Sequence, residues 1–409
     1  MELKRALHLF NRFLSNPTSP LPIALYRICY GGIGVIMAIF LFPDLATWFS
    51  DEGVLSQALS EKIMGMDRIN VFTWWGSSVD VVHRVFWVYL ISSFCVMMGF
   101  WTRLSSILMF ITLSSFQNRN VYVLHGGDAL YRLMSFFMMF APSAKALSID
   151  RLIAVYKGLE KAGRWDLVNP LAQRVIQLQL CILYFSTAYV KATGIRWTSG
   201  TTVYIVQQLS QFHRFPLPAF MHTLTASKIL TWFTLAVEGF FPFLIWFKDT
   251  RLLMLFLVII LHTGFEYALN IQLFQFIVGS IFLLFFYEEE FCRVGLRIRK
   301  MLRPLLPTKI ELFYNLNHQF CSRMMNVLTC MDLLQLIEFH PISTAQLLEV
   351  KTSKGKILAG FSAVRAALTR ILPFMWLAPI GFIPGFKQIG DRLYRFVDSS
   401  VWLRSSSAI

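Results

Sequence analysis

The chain carries little charge for its length: 15% of its 409 residues are Asp, Glu, Lys or Arg, where an ordinary soluble domain has about 25%. That shortfall argues against a purely soluble protein. Six Cys are too few for a disulfide scaffold, and so apolar a chain is not a disordered one. Also missing are a nucleophile elbow, a Walker loop, a dinucleotide fingerprint in a strand–turn–helix context, an internal repeat and a low-complexity segment. Acidic residues are the scarcer sign, 23 against 38 basic ones, for a formal net charge of +15. Where the positive charges sit decides whether they point to nucleic acid.

What is present is apolar: 56% hydrophobic residues, with 39 Phe, 17 Met and 11 Trp, a load that a bilayer hides most simply. A span takes roughly 20 mostly apolar residues, fewer where protein surrounds it. Eight stretches qualify or nearly do, at 21–41, 84–101, 104–116, 130–146, 175–193, 228–247, 252–269 and 271–287. The third is short and runs into Ser114, Ser115 and Gln117. The segment through Pro20 carries Lys4, Arg5 and Arg12 without an apolar run leading to a small-residue cleavage site, so the first span is expected to be the insertion signal.

Basic residues in short loops stay on the cytoplasmic side. With the N-terminus inside, that side collects Arg103; then Lys145, Arg151, Lys157, Lys161 and Arg164; then Lys248 and Arg251; then Arg293, Arg297, Arg299, Lys300 and Arg303. The outer loops 43–83, 117–129 and 194–227 and the turn near Asn270 are poorer in Lys and Arg. The reading is a multi-pass protein of the cell (inner) membrane with cytoplasmic termini and the lipid bilayer as partner. Topology then accounts for the positive charge, and no nucleic acid is expected. Trp48, Trp74 and Trp75 suit the outer interface, and 148–165 reads as an interfacial helix with Leu152, Ile153, Tyr156 and Leu159 opposite Lys157 and Lys161.

Past Tyr287 the composition changes, with Glu288, Glu289 and Glu290 followed by a basic stretch to Arg303 and Pro304. The expected division is a membrane domain over 1–290, a basic linker over 291–307 and a small α/β cytoplasmic domain over 308–409. Residues 310–314 alternate like a strand, 322–331 read as a helix and 336–339 as another strand. Residues 372–386 are apolar, but Pro373, Pro379 and Pro384 argue against a span.

Ionisable groups within spans are costly and have a reason to be there. Asp128, Lys191, His262 and Glu266 fall toward the outer face, as do Arg119, His125 and Arg132; Glu238 falls near the bilayer centre. An apolar surround favours the neutral amine of a Lys, which is then a base, so Lys191 is the candidate. The alternative is a Lys that snorkels to the headgroups. Asp128 and Arg132, one turn apart, read as a structural ion pair. His262 and Glu266 at i, i+4 are compatible with a metal pair, but no third ligand stands at motif spacing and no metal is expected. Cys29, Cys95 and Cys181 read as small core residues, and the cytoplasmic Cys as reduced.

The run from Gln117, Asn118, Arg119 and Asn120 through His125, Gly126, Gly127 and Asp128 to Arg132, then Phe140-Ala141-Pro142 and Ser148-Ile149-Asp150, resembles the HTTM family. This is the membrane domain shared with vitamin K-dependent gamma-carboxylases. The resemblance continues in Tyr184-Phe185-Ser186-Thr187-Ala188-Tyr189-Val190-Lys191, in Trp197 and Gly200, and in His262 with Leu269, Ile271 and Phe274. It implies a polytopic helix bundle and Lys191 as the base toward a reduced quinone, with His262 matching a His of the carboxylase active region. Asp128, Glu266, His125 and Arg132 are the supporting set. The sequence departs from the pattern at Ala188-Tyr189, where the family has Ala-Gly, and at Val123, where it has a His.

The C-terminal part resembles a second family, the DCC (DUF393) thiol-disulfide oxidoreductase-like domains, which are thioredoxin-like. The match rests on residues 313–321, on Ser353-Lys354-Gly355, on Leu372-Pro373, on Ile383-Pro384-Gly385 and on Leu393-Tyr394-Arg395. The family's acidic pair is replaced by Asn315 and Asn317, and its first Cys by His318, which leaves Cys321 as the one sulfur of a degenerate redox site. A protonated His318 would lower the Cys321 pKa. The expected fold is thus mostly α, a transmembrane bundle of about eight spans with a small C-terminal thioredoxin-like α/β domain. Two functions compete. One is a carboxylase-like membrane enzyme acting on a quinone or peptide at the outer face; the other is a non-enzymatic scaffold or processing/export partner. A thiol relay is the weakest reading, since a dithiol needs two sulfurs.

Overall fold

The computed structural model describes residues 2–64, 68–342, 348–375 and 385–399. In chain order its main helices are α1 (Glu2–Ser15), α2 (Leu21–Leu41), α3 (Val79–Met98), α4 (Thr102–Arg119), α5 (Gly126–Met138), α6 (Ile149–Tyr156), α7 (Leu171–Thr193), α8 (Leu224–Leu244), α9 (Lys248–Ala268), α10 (Phe274–Phe282), α11 (Glu288–Leu302), α12 (Gln319–Met331), α13 (Phe361–Leu368) and α14 (Phe386–Ser399). The chain forms two compact units, one of Met1–Ser148 with Leu167–Glu288 and one of Ile149–Asp166 with Glu289–Ile409.

The first unit is a helix bundle, and each of the eight apolar segments carries one of its helices. Among the described residues, four helical stretches are long and apolar enough by themselves to cross a bilayer: Leu21–Phe49, Val79–Met98, Leu171–Thr193 and Lys248–Ala268. α4 is too polar for that criterion for a visible reason. Its Ser105, Ser106, Thr112, Ser114, Ser115, Gln117, Asn118 and Arg119 are all buried, and the hydroxyls of Ser106 and Ser115 return to carbonyls one turn back. Protein covers this polar face, where such side chains are tolerated, while Leu104, Ile107 and Leu108 on the other side stay exposed.

Pro20 and Pro22 open α2, where a missing N–H costs nothing. Gly31 then meets the backbone of Met97 so closely that any Cβ would collide with it. This small residue lets α2 and α3 pack backbone to backbone. Arg27, fully buried on α2, donates to the carbonyls of Val96 (2.7 Å), Met97 (2.9 Å), Ser143 (3.1 Å) and Leu147 (2.5 Å). It thereby supplies donors to the last carbonyls of α3, Val96 and Met97, where the helix runs out of N–H groups.

The long segment after α2 folds into short helices and is tied to the end of α4. Buried Arg119 donates to Ser50 O (3.1 Å) and Leu55 O (2.6 Å), and Asn120 Nδ2 donates to Trp48 O at 3.0 Å. Trp74 and Trp75 stay exposed.

The second unit contains a four-stranded sheet in the order β2-β1-β3-β4. β1 (Ile310–Asn315) pairs parallel with β2 (Ile337–Ile342) and antiparallel with β3 (Leu348–Thr352), which pairs antiparallel with β4 (Ile357–Ala359). α12 is the crossover between β1 and β2, and Leu312, Met325, Leu328, Val350 and Ala363 belong to the core beneath it. Asp332 ends α12 and accepts the backbone N–H groups of Leu336 and Ile337, both at 3.0 Å.

α6 belongs to the second unit. Val155 is buried and Tyr156 carries the Arg323 guanidinium of α12 over its ring at 6.0 Å, so part of this helix packs within the second unit, while Ile153 of its apolar face and Leu159 just past its end stay exposed. Periodicity shows that a helix has an apolar face but not what covers it. Of the apolar stretch 372–386, residues 376–384 lie outside the described residues, and with them Ile383 and Pro384.

Candidate functional site

Tyr184, Thr187 and Lys191 stand at i, i+3 and i+7 on α7, one face of the helix. That face meets Glu238 of α8. The Lys191 ammonium donates to both oxygens of the Glu238 carboxylate, and Thr187 Oγ1 reaches Oε2 at 3.3 Å. Side-chain exposure is 22% for Lys191 and 7% for Glu238, so the pair is largely withdrawn from solvent. The ammonium also lies 5.0 Å from the centre of the Trp197 ring, a cation–π arrangement.

A second polar chain adjoins it. His262 Nδ1 contacts Gln275 Oε1 at 2.8 Å, and Nε2 contacts the Tyr184 hydroxyl at 2.5 Å. An amide oxygen only accepts, so Nδ1 carries a proton; in the neutral ring Nε2 then holds the lone pair and the Tyr184 O–H donates to it. Phe265, Phe274 and Phe282 surround its ring at centroid distances of 5.7, 5.8 and 5.9 Å.

Both groups open into one cavity of about 830 Å³. Apart from the polar cluster its walls are chiefly apolar, including Leu183, Leu230, Phe233, Leu261, Phe274 and Val278. The segment between α7 and α8 roofs it with Trp197, Val203, Val206, Leu217 and Met221. That roof is latched to the end of α9: Arg214 pairs with Glu266, Asn270 N donates to Phe212 O at 2.8 Å, and Tyr267 Oη donates to Pro216 O at 2.8 Å.

The other predicted residues go elsewhere. Glu266 serves the latch rather than pairing with His262. Asp128 and His125 line a smaller cavity of about 370 Å³. Asp128 does not pair with Arg132; its Oδ2 accepts the His125 backbone N–H at 2.9 Å, while Arg132 Nη1 donates to Asn118 Oδ1 at 2.9 Å. The capping geometry of α5 claims the carboxylate first. In the second unit His318 is the N-cap of α12, its Nδ1 accepting from Cys321 N at 3.4 Å, and Cys321 is buried. Among the described residues no group of three or more His, Cys, Asp and Glu stands together as a metal cluster would.

Sequence reasoning missed Tyr184, Thr187 and Gln275, and placed Glu238 near the bilayer centre without naming its partner. The signal was there for two of them, because Tyr184 and Thr187 share the i, i+3, i+7 face with Lys191. For Glu238 and Gln275 only the packing of separate helices makes the pairing visible.

Compared with known families, the chain matches the HTTM domain model over residues 16–289, which includes all the lining of both cavities. No solved structure matches the chain.

Proposed function

Because the chain belongs to the HTTM family, we propose that its larger cavity is the active site of a carboxylase-like membrane enzyme acting on a lipid-soluble quinone or a peptide at the outer face, with Lys191 as the base and His262 in support. The observation that carries this reading is the position of the Lys191–Glu238 pair, which is held against an otherwise apolar chamber of about 830 Å³. Such a chamber suits a ligand that arrives from lipid.

The pair also supplies what a lysine base needs. An ammonium cannot take a proton, so Lys191 first hands one to Glu238, leaving a neutral amine beside a neutral carboxylic acid. An apolar site penalises this state less than water does, because neither group then carries a buried charge. Trp197 positions the amine, and Gln275 fixes the His262 tautomer so that Tyr184 presents a donor toward Nε2. A reduced quinone would supply the acidic hydroxyl on which such a base acts, and the apolar walls fit its ring and tail.

A second reading has its own observation. The Lys191–Glu238 pair joins α7 to α8, which is what a non-enzymatic scaffold or export partner would use to lock its bundle. The finer architecture belongs to the same proposal: eight spans in the inner membrane of a bacterial cell, both termini cytoplasmic, and a degenerate DCC-like, thioredoxin-like module at the C-terminus. What supports the module is a parallel β1-α12-β2 unit with Cys321 on the first turn of its helix, followed by an antiparallel β3–β4 pair.

The test is to purify the full chain in mild detergent, extract it, and identify co-purifying small molecules by mass spectrometry for wild type and Lys191→Ala. A stoichiometric quinone that is lost in the variant, at unchanged membrane abundance, upholds the enzyme reading. An empty wild-type protein together with loss of abundance in the variant favours the scaffold.

A further inference from the structure

We propose that the smaller cavity of the first unit is a binding site for a primary ammonium group. This goes beyond the reading of the Lys191 chamber and does not depend on it. The cavity lies between the C-terminal ends of α2 and α4 and the N-terminal end of α5, and measures about 370 Å³.

Three oxygens there lack a full set of partners. The Tyr89 hydroxyl and Gln117 Oε1 are buried without a hydrogen bond; the two residues are 2% and 3% exposed. Gln117 Nε2 is committed to Asp128 O at 2.9 Å, which fixes the amide so that Oε1 is its unused end. Asp128, 7% exposed, gives Oδ2 to the His125 N–H, while Oδ1 accepts nothing among the described residues.

The one ionic partner of the carboxylate among the described residues is His125, which carries charge only when its ring is protonated. Arg132 is turned to Asn118. His125 Nδ1 accepts from Gly127 N at 3.0 Å, and its Nε2 lies 3.6 Å from Asp128 Oδ2, beyond hydrogen-bond reach. The capping role at α5 therefore explains one oxygen of Asp128 and leaves the other, with the charge, facing the cavity. Asp44 adds a second carboxylate to the lining.

An ammonium brings a positive charge, three N–H donors and no acceptor. It matches the carboxylate in sign, and its donors suit the acceptors that Tyr89 and Gln117 leave unused. Phe40, Trp48, Phe49 and Phe116 supply aromatic walls for a cation and its alkyl stem. Water alone would satisfy hydrogen bonds but would leave a buried carboxylate with no counter-charge other than a protonated His125, a costly arrangement when that ring is neutral. The ammonium has two possible sources, a small free amine or the ethanolamine headgroup of a lipid, and the chemistry of recognition is the same for both.

The test is calorimetric titration of the full chain in a non-ionic detergent with n-hexylammonium, using n-hexanol as the uncharged probe of equal length. Saturable binding of the amine and none of the alcohol is expected. Asp128→Asn keeps an oxygen for the His125 N–H and removes the charge, so it should weaken the amine at least tenfold. Leu41→Trp fills the cavity without touching the cap and should abolish binding, which keeps the test decisive if the first variant does not fold. Repeating the titration in phosphatidylethanolamine and in phosphatidylcholine nanodiscs separates the sources. Competition in the first alone identifies a lipid headgroup and equal binding in both identifies a free amine; either upholds the site. Equal affinity for the two probes, no saturable amine binding, or binding unchanged in the variants overturns it.

Discussion

Glu238 and Lys191 form the kind of pair whose worth depends on which half is removed. Truncating one partner leaves a buried charge alone, at a cost of about 3–5 kcal/mol, whereas replacing both by apolar residues is close to neutral. Lys191→Met is therefore expected to lower the melting temperature in detergent, and Lys191→Met with Glu238→Leu to restore it while abolishing any quinone co-purification. A double variant that melts normally and still retains quinone would remove Lys191 from the proposed chemistry. Asp332 offers a pH test in the second unit. Burial outweighs its hydrogen bonds and raises its pKa above the usual Asp value. The folded state then holds the proton more tightly than the unfolded one, so the contribution is present below the unfolded pKa and is lost as pH rises through the raised folded value. Protection of the Leu336 and Ile337 amides, corrected for intrinsic exchange, should fall across that window in wild type and stay flat in Asp332→Asn.

Helices carry their own predictions, because the bundle depends on where they approach. Gly31 touches the Met97 backbone, and Gly31→Leu must push α2 away from α3. The expected result is a large loss of folded protein in the membrane, read by gel filtration after solubilisation, while Gly239→Leu on α8, where a Cβ would meet nothing within 4 Å, should be tolerated. The roof over the larger cavity rests on the Arg214–Glu266 pair and on backbone bonds from Asn270. Arg214→Ala should speed thiol labelling of a cysteine placed at Leu217, and the swap of Arg214→Glu with Glu266→Arg should slow it again. The apolar runs of α2, α3, α7 and α9 were legible as helices from length and composition. Those of α4 and α6 were legible as helices too, but not what surrounds them, since Ser, Thr and Gln on α4 are buried against protein and Tyr156 of α6 meets Arg323 of α12.

At the scale of the whole molecule, charge asymmetry makes the strongest prediction. Every large Lys/Arg cluster falls on one side of an eight-span topology. In a cysteine-free background, cysteines at Lys157 and Thr223 should then react with an impermeant thiol reagent from opposite sides of the membrane. Reaction of both from the same side would sink the topology. The sequence by itself determined that this chain belongs in a bilayer, which segments are helical and where the composition breaks near residue 288, because run length, hydropathy and charge bias are local properties. Only the tertiary structure decided that Lys191 has Glu238 as its partner, that His262 is held by Gln275 and Tyr184, that Glu266 latches a roof, and that Asp128 faces a separate cavity. Each of these joins side chains from different elements, and the rotation of one helix against another decides which of the faces written in the sequence come to meet.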